Sequence, residues 1–285
     1  MTDTPFSPVV DSGDIYELVY FPRDEWVKDL ALVALPEKWE NDESGSPKIL
    51  FNYFRYYTRR IIEERLWVET VTSDGVHLSA FDTGLLTRKH YEPIYAVFEA
   101  NRDPSRDQPW KHKEWATLSS RRMRAFDGYS LGRALFFSNP AEVVFDPRLK
   151  VVPNLEHIVT ENVDRFPDVL KENEYLRKGA LEQAIATAAA KTRSNWRLAA
   201  PQFYWPGYGG PGRVQLLLPL CLLRPEKADL ALVLDRTPSY SEDPSSNSAC
   251  YSAYTVLTLM MAYQNARLIT RPEAYWLDIN TQTGN

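Results

Sequence analysis

The last third of the chain contains three apolar, β-rich runs in close succession, at residues 197–204, 214–222 and 228–234. Only short connections separate them: a glycine-rich segment, WPGYGGPG (205–212), and the segment RPEK (224–227). A parallel neighbour needs a crossover of roughly a dozen or more residues, whereas an antiparallel neighbour needs only a tight turn. The spacing therefore predicts an antiparallel meander, which a fourth strand at 251–257 extends after a Ser/Pro-rich loop.

A separate β-hairpin is predicted around residue 74. Two runs rich in β-branched and aromatic residues, 67–73 and 76–82, flank the pair Asp74–Gly75. Asp-Gly between such runs is typical of a two-residue type I′ turn. Further strands are predicted at 93–99 and 110–118.

Four other segments have the composition or periodicity of helices: 24–35 with Asp24 as N-cap, 49–66, 161–175 and 181–193. Together with the strands they predict an α+β fold, mainly an antiparallel sheet with helices packed on it. Residues 1–14 are rich in Pro, Ser and Asp and are expected to form a disordered tail. The sequence contains neither a repeat nor a domain linker, so 15–285 is expected to form a single domain.

Composition restricts the class of protein. The chain has 285 residues, 44% of them hydrophobic, which is enough for a full core. A formal net charge of -5 excludes a generally basic nucleic-acid binder, but not a local basic pocket. Cys221 and Cys250 fit no metal spacing and favour a reducing compartment. Because the sequence shows no signal peptide and no apolar run long enough to span a bilayer, we expect a cytoplasmic protein without a membrane partner.

The segment MMAYQNARLITRP (260–272) is apolar around most of its circumference when drawn as a helix. Such a helix is buried, and Thr258 is in position to cap it. Gln264 and Arg267 share one side, and Arg271 joins them if the helix continues until Pro272. Asn265 lies apart from this group.

A buried guanidinium at Arg267 needs a carboxylate, several carbonyls or an anionic ligand. One interpretation is an internal ion pair with Asp82 or Asp229. The other is a fork for phosphate or carboxylate formed by Arg267 and Arg271. The residues alone leave both interpretations open.

Two further features are candidates for chemistry. The glycines of 206–212 resemble a phosphate cradle but lack the Gly-Lys-Ser/Thr ending of a P-loop, so a hairpin loop is the simpler interpretation. His157 stands close in sequence to Asn154, Asn162 and Arg165 near a helix start. Its near-neutral pKa suits a general acid or base, although a structural hydrogen bond explains it equally well.

Seven segments, taken in order, resemble a known family: FDTGLLT (81–87), PIYAVFE (93–99), PNLEHIVTENVDRFP (153–167), APQFY (200–204), VQLLLPLCL (214–222), KADLALVL (227–234) and LTLMMAYQNARLITRPEAYWL (257–277). The chain is similar to the uncharacterised bacterial domain-of-unknown-function family thirty-eight twenty-five. Such domains accompany cold-shock-type OB folds and other RNA-related modules, so the resemblance implies RNA or nucleotides by analogy.

The resemblance implies a set of characteristic family residues, most of them polar, and this chain matches them at nine positions: Thr83, Gly84, His157, Arg165, Gln202, Gln215, Asn265, Arg267 and Arg271. The chain departs from the signature at Asp82, where the resemblance implies asparagine, and at Met261, where it implies aspartate or another polar residue. A ligand that touches these positions would therefore differ from the family's usual one.

The first functional hypothesis is a nucleotide- or RNA-end-binding protein with phosphoester or nucleotidyl chemistry. It assigns catalysis to His157 and Arg267. It assigns substrate contacts to Arg271, Asn265, Gln264, Gln202, Gln215, Thr83 and Arg165. Asp82 and Asp229 are the carboxylates available to Mg²⁺, and no other metal ligand is predicted.

Two alternatives stand beside this hypothesis. One is a non-catalytic interaction module whose polar core only fixes the fold. The other is a small-molecule tailoring enzyme that binds a carboxylate through the same arginines. The sequence does not indicate an oligomeric state.

Overall fold

The computed structural model of the protein describes residues 14–39, 46–206, 210–238 and 249–277. Two compact units account for the chain, Met1–Leu135 (the N-terminal unit) and Phe136–Asn285 (the C-terminal unit). Both are built on mostly antiparallel sheets with helices, which confirms the predicted α+β class. The single domain over 15–285 stays a prediction, because two compact units can belong to one domain. Residues 1–13 of the predicted tail lie outside the described residues.

The N-terminal unit contains the following elements: α1 (Ile15–Leu18), β1 (Val19–Tyr20), α2 (Trp26–Val33), α3 (Lys48–Glu63), β2 (Val68–Val71), β3 (His77–Leu86), β4 (Pro93–Ala100), β5 (Trp110–Ala116) and a 3-10 helix (Arg121–Phe126). Its sheet has the order β1-β5-β4-β3-β2. All neighbours are antiparallel except β1, which runs parallel to β5.

Side chains alternate between the two faces of this sheet. One face packs on α3, where the Phe54 ring lies 5.8 Å from Phe81. The other face forms a second apolar cluster with the 3-10 helix, in which Leu78 and Val97 pack with Met123 and Phe126. The sheet is therefore covered on both sides.

The hairpin at residue 74 is confirmed, but its predicted turn type is wrong. Val71 pairs with His77, and Gly75 N donates to Thr72 O at 2.9 Å. Gly75 has a φ of 80°, whereas Asp74 is not among the residues with positive φ. A type I′ turn needs positive φ at both central residues. The connection is instead a three-residue loop with a left-handed glycine at its end.

The C-terminal unit contains β6 (Val151–Pro153), α4 (Leu155–Glu161), α5 (Asp168–Lys171), α6 (Glu174–Ser194), β7 (Ala200–Tyr204), β8 (Arg213–Leu220), β9 (Leu230–Pro238), β10 (Ala249–Ala253), β11 (Val256–Thr258) and α7 (Leu259–Arg267). The strand order is β6-β10-β9-β8-β7, and β11 also pairs with β9. Strands β7 to β10 form the predicted antiparallel meander. Strand β6 adds in parallel to β10.

One face of this meander forms the main apolar core of the C-terminal unit. Alternate leucines of β8 and β9 point to this face and pack against α4 and α6. Ile158 and Val159 of α4 and Leu181 of α6 contact this leucine core and are fully buried. Two helices thus cover one side of the sheet.

The predicted and the observed helix boundaries differ most between residues 155 and 194. The predicted helix 161–175 is wrong, because α4 has already ended at Glu161 and Pro167 interrupts the segment. The predicted helix 181–193 begins earlier, at Glu174, where the Asn173 side chain accepts a hydrogen bond from Leu176 N at 3.0 Å. An asparagine N-cap explains this early start.

The first two helices of the chain are shorter than expected. The helix predicted at 24–35 spans Trp26–Val33, and Glu25 rather than Asp24 occupies the N-cap position without a capping side-chain bond. The helix predicted at 49–66 spans Lys48–Glu63. Within the described ranges, no helix combines the length and apolarity needed to cross a bilayer.

Candidate functional site

The second face of the C-terminal meander carries a row of polar residues. Gln202 of β7 pairs with Gln215 of β8. Because Gln215 precedes Leu216, whose side chain lies in the leucine core, Gln215 points to the opposite face. The β8–β9 register pairs Leu216 with Leu234, so Gln215 lies opposite Asp235. The three polar residues therefore cross three strands in one line.

Hydrogen bonds connect these residues into a chain. Gln202 Nε2 donates to Gln215 Oε1 at 2.9 Å, and Gln215 Nε2 donates to Asp235 Oδ2 at 2.9 Å. Helix α7 adds a fourth member, since Asn265 Nδ2 donates to Gln202 Oε1 at 3.1 Å. Gln202 and Gln215 are only 1% and 7% exposed. We call Asn265, Gln202, Gln215 and Asp235 the amide row.

The hydrogen bonds of the amide row all run in the same direction, from Asn265 as the first donor to Asp235 as the last acceptor. A carboxylate only accepts, so Asp235 turns the NH₂ group of Gln215 toward itself. The oxygen of Gln215 then faces the NH₂ group of Gln202, and the oxygen of Gln202 faces Asn265. Each amide nitrogen keeps a second N–H. In the described part of the chain, the Asn265 side-chain oxygen accepts no hydrogen bond, so the row ends in an oriented acceptor.

Arg213 holds the other end of the row. Its Nε donates to Asp235 Oδ1 at 2.9 Å and its NH2 donates to Asp235 Oδ2 at 2.5 Å. These bonds raise the pKa of Arg213 further above its ordinary value. The guanidinium carbon also lies 5.4 Å from the ring centroid of Tyr204, which is 39% exposed. Two of the five guanidinium N–H groups are used, and three remain.

The polar face continues onto β10. Thr237 pairs with Cys250, and Asp235 pairs with Ser252. The hydroxyl oxygens of Thr237 and Ser252 are 2.7 Å apart, and Cys250 Sγ lies 3.6 Å from Thr237 Oγ1. Hydroxyl and thiol groups thus extend the line of polar groups across the sheet.

Helix α7 confirms part of the prediction for the segment 260–272. Thr258 caps the helix by accepting a hydrogen bond from Met261 N at 3.3 Å. The helix ends at Arg267, so the condition under which Arg271 would share its side is not met, and Arg271 is exposed. Arg267 is 8% exposed and lies in the last turn, where the helix dipole favours a cation. Gln264 is half-buried.

His157 is not brought to the amide row. It is an exposed residue of α4, whose Ile158 and Val159 pack into the leucine core. Because that core and the amide row occupy opposite faces of the sheet, His157 lies on the other side. Its backbone N–H donates to the Asn154 side chain at 3.2 Å, which caps α4.

Arg165 has a structural role in the C-terminal unit. Its NH1 donates to Val256 O at 2.5 Å and to Thr255 Oγ1 at 2.9 Å. Asn162 Oδ1 accepts from Val256 N at 2.9 Å. These bonds attach the turn after α4 to the start of β11.

Thr83 and Gly84 belong to the N-terminal unit, where they shape a bulge of β3. Thr83 is fully buried and donates from Oγ1 to Ile94 O at 2.7 Å. Gly84 has a φ of 71°, and a Cβ there would lie 2.5 Å from the Tyr53 hydroxyl and 2.8 Å from the Tyr57 ring. The FDTG sequence is explained by packing in this unit.

The carboxylates proposed for Mg²⁺ have backbone partners. Asp82, in the N-terminal unit, accepts from Gly84 N at 2.7 Å, and burial raises the pKa of its carboxyl. Asp229, in the C-terminal unit, accepts from Leu222 N at 2.7 Å and Leu223 N at 3.0 Å. The residues that the structure describes contain no group of three or more His, Cys, Asp or Glu placed to hold a metal. Magnesium binding, like the Arg267 ion pair, stays a prediction.

Sequence reasoning missed Arg213 and Asp235, although a signal for both exists. Arg213 directly precedes the strand predicted at 214–222, and Asp235 directly follows the strand predicted at 228–234. In an antiparallel pair, the start of one strand lies opposite the end of the next, and opposite charges there attract each other. The predicted meander therefore places the two charges near each other, and in the observed register Arg213 reaches Asp235 across the diagonal, since Asp235 lies opposite Gln215.

Comparison with known proteins gives a family and no activity. A family model described as "Domain of unknown function (DUF3825)" matches residues 30–276. No curated protein and no solved structure matches the chain. The matched range includes all members of the amide row.

Proposed function

The chain belongs to the DUF3825 family of domains of unknown function, and from its geometry we propose that the polar sheet face of the C-terminal unit binds a nucleotide or an RNA end. One observation supports this proposal above all. The amide row places three side-chain amides in fixed orientations beside an arginine and an exposed tyrosine.

Oriented amides match the edge of a nucleobase. A base presents neighbouring donors and acceptors, and Asn or Gln recognises such an edge with its N–H and C=O groups. Asn265, which is half-buried, offers an acceptor oxygen and a second N–H as a donor. Because Asp235 fixes every orientation, the row is organised before a ligand arrives, which lowers the entropic cost of binding.

Tyr204 and Arg213 supply the remaining contacts in the proposal. An exposed tyrosine ring is a platform on which a base stacks, and an arginine guanidinium is a second planar group on which bases stack. The three remaining N–H groups of Arg213 are donors for phosphate oxygens. Arg213 thereby adds a phosphate contact to those that the sequence analysis assigned to Arg267 and Arg271.

The proposed site is a binding site. His157, predicted as the general acid or base, lies on the opposite face of the sheet and so outside it. Arg267 follows Asn265 by two residues in α7 and stays a proposed phosphate contact, as does the exposed Arg271.

A structural role for the amide row is the second candidate. Gln202 and Gln215 are nearly inaccessible and bond to each other, as buried polar groups do when they only stabilise a fold. Under this alternative the row needs no ligand, and the exposed Tyr204 and Arg213 have no joint function.

Thermal unfolding with and without ligand distinguishes the two candidates. The four nucleoside monophosphates and a 5′-phosphorylated trinucleotide are added to wild type, Tyr204→Leu and Arg213→Gln. A ligand at roughly 100 times its Kd stabilises the folded state by about 2.7 kcal/mol. We expect at least one compound to raise the melting temperature of wild type.

The variants locate the binding. Loss of a stacking ring weakens binding by about 1–3 kcal/mol per base, so Tyr204→Leu should reduce the ligand-induced shift. Arg193→Gln, an exposed change of the same charge on α6, is the control and should keep the full shift. If wild type shows no shift with any compound, or all three variants behave alike, the binding proposal fails and the structural role is favoured.

A further inference from the structure

A second polar site is suggested by a cleft in the N-terminal unit. The cleft has a volume of about 690 Å³ and lies between the β2–β3 hairpin and the 3-10 helix. The hairpin contributes Val71, Val76 and Leu78, and the helix contributes Arg121, Arg122 and Arg124. This volume falls within the roughly 300–1,000 Å³ typical of small-ligand sites.

The period of the 3-10 helix explains why arginines line this cleft. In a 3-10 helix, side chains three residues apart lie on the same side. Met123 and Phe126 are such a pair, and both are buried in the apolar cluster of this unit. Arg121 and Arg124 are the corresponding pair on another side. Their backbone positions are separated by roughly 6 Å along the axis, at about 2.0 Å per residue.

The two arginines retain their donors. Arg122 is paired with Glu114, 3.2 Å away. In contrast, neither Arg121 nor Arg124 makes a side-chain hydrogen bond or ion pair within the described part of the chain. Both residues are exposed, so their N–H groups are accessible from the cleft.

The acidic groups of the cleft have other partners. Glu99 forms an ion pair with Lys113 at 2.9 Å. Asp74 accepts a hydrogen bond from Thr72 Oγ1 at 2.5 Å, and this bond, more than the nearby charge of Arg121, lowers the pKa of its carboxyl. Neither carboxylate forms a salt bridge with Arg121 or Arg124.

The rest of the cleft is apolar. Val71 is 54% exposed at its rim, and Leu78, deeper in the cleft, belongs to the buried apolar cluster. Val76 and Ala125 pack against the same cluster. The cleft therefore has one basic side and one apolar side. The basic side is a local feature, because the whole chain has a net charge of -5.

We propose that this cleft binds a phosphoryl-bearing ligand with an apolar organic part. Arg121 and Arg124 would each form a two-point contact with phosphoryl oxygens, for which the guanidinium geometry is suited. The apolar part would lie on Val71, Val76 and Leu78. The phosphoryl group belongs either to a free small molecule or to a phosphodiester chain.

The test uses 1-naphthyl phosphate as a fluorescent probe and 1-naphthol as its uncharged counterpart. Both are titrated into the full chain, into Arg121→Gln/Arg124→Gln, and into Arg88→Gln/Arg102→Gln. The last variant removes the same charge from exposed arginines of the same unit. A decauridylate competitor shows whether the phosphate source is a phosphodiester chain.

We expect 1-naphthyl phosphate to bind more tightly than 1-naphthol. Removing Arg121 and Arg124 should weaken its binding about tenfold or more, because charge-assisted contacts are lost. The control pair Arg88→Gln/Arg102→Gln, which removes the same charge elsewhere in the unit, should leave its Kd unchanged. Equal affinity for the two probes, or equal weakening in both arginine pairs, would overturn the proposal. Displacement by decauridylate assigns the ligand to a phosphodiester, and its absence assigns it to a small phosphate.

Discussion

The guanidinium of Arg213 forms a bidentate ion pair with the carboxylate of Asp235, with Nε–Oδ1 and NH2–Oδ2 distances of 2.9 and 2.5 Å. The same carboxylate accepts from Gln215 and so orients Gln215, Gln202 and, through them, Asn265. The polarity of three amides is thus set at the more exposed end of the row. A ligand that binds Arg213 would therefore affect its partner Asp235, the carboxylate that sets the orientation of the three amides.

Replacing Asp235 with asparagine should destabilise the protein. The change removes the accept-only group and leaves Arg213 without an ionised partner. We expect the free energy of unfolding to fall by about 1 kcal/mol, the low end for hydrogen bonds to charged groups, because the Arg213 side chain is 47% exposed. Urea denaturation at pH 7 measures the change.

Asp168→Asn is the matched control for this experiment. Asp168 pairs with Lys171 at 2.8 Å, but its side chain is 94% exposed. Exposed pairs contribute little, so the control should leave the urea denaturation midpoint nearly unchanged. Equal losses in the two variants would contradict a special role for Asp235.

Arg177 should be among the most sensitive positions of the C-terminal unit. It is 4% exposed and donates to three carbonyls: to Val159 O at 3.1 Å, Leu170 O at 3.0 Å and Lys171 O at 2.6 Å. Arg177→Leu leaves these carbonyls without their donor. We expect a loss of about 3–5 kcal/mol in the free energy of unfolding, measured by chemical denaturation.

Arg193→Leu serves as the control, since Arg193 is exposed on the same helix. It should change stability by no more than about 0.5 kcal/mol. A loss below about 1 kcal/mol for Arg177→Leu would show that the freed carbonyls find water, and the carbonyl contacts would then not be essential.

The parts of the fold that sequence reasoning predicted are those with short connections. The β7–β8 and β8–β9 turns force antiparallel neighbours, and the Thr258 cap is a local signal next to its helix. Gln202, Gln215 and Asn265 were all identified as candidates, and the structure brings these three together. That Gln202 and Gln215 touch each other depends on the register of β7 against β8. Turn length determines this register, and composition does not.

The parts that were missed depend on long-range or competing local effects. His157 lies close in sequence to Arg165, yet which face of the sheet α4 covers depends on the packing of α4 and α6 together. The end of α7 involves a tighter turn after Arg267, where Ile269 N donates to Ala266 O three residues earlier and shares this acceptor with Thr270 N. Helical periodicity alone therefore placed Arg271 on a helix that had already ended.

Gly84 should tolerate no side chain. Its φ of 71° is left-handed, and a Cβ would lie 2.5 Å from the Tyr53 hydroxyl. The left-handed conformation costs an L-residue about 1–2 kcal/mol, and overpacking adds about 1–3 kcal/mol. Gly84→Ala should therefore lower the free energy of unfolding by about 2–5 kcal/mol in urea denaturation.

Two other glycines separate these contributions. Gly75 has a φ of 80° with no atom within 4 Å of a Cβ, so Gly75→Ala should show only the conformational cost. Gly179 lies in α6 with equally open space, and Gly179→Ala should stabilise by up to about 1 kcal/mol through helix propensity. If Gly84→Ala costs no more than Gly75→Ala, the contact with Tyr53 is not tight.

His112 should make the protein less stable in acid. Its ring stacks on Phe21 at 5.3 Å and lies 4.3 Å from the Trp115 ring. Burial in this aromatic layer lowers the pKa of His112 from 6.5 to about 4. The unfolded chain therefore binds a proton between pH 6.5 and 4 that the folded chain does not bind. Stability is lost as the pH falls through this window, by up to about 3 kcal/mol.

Urea denaturation of wild type and His112→Phe at pH 7, 5.5 and 4 isolates this contribution from that of the carboxylates, which titrate in both proteins. Phenylalanine keeps an aromatic ring in the layer and cannot be protonated. The variant should therefore lose less stability than wild type on acidification, and the difference between the two losses should be about 3 kcal/mol at most. His77→Phe, at an exposed position, should follow wild type at every pH. Parallel acid profiles for wild type and His112→Phe would mean that His112 accepts its proton in the folded state as readily as in the unfolded chain.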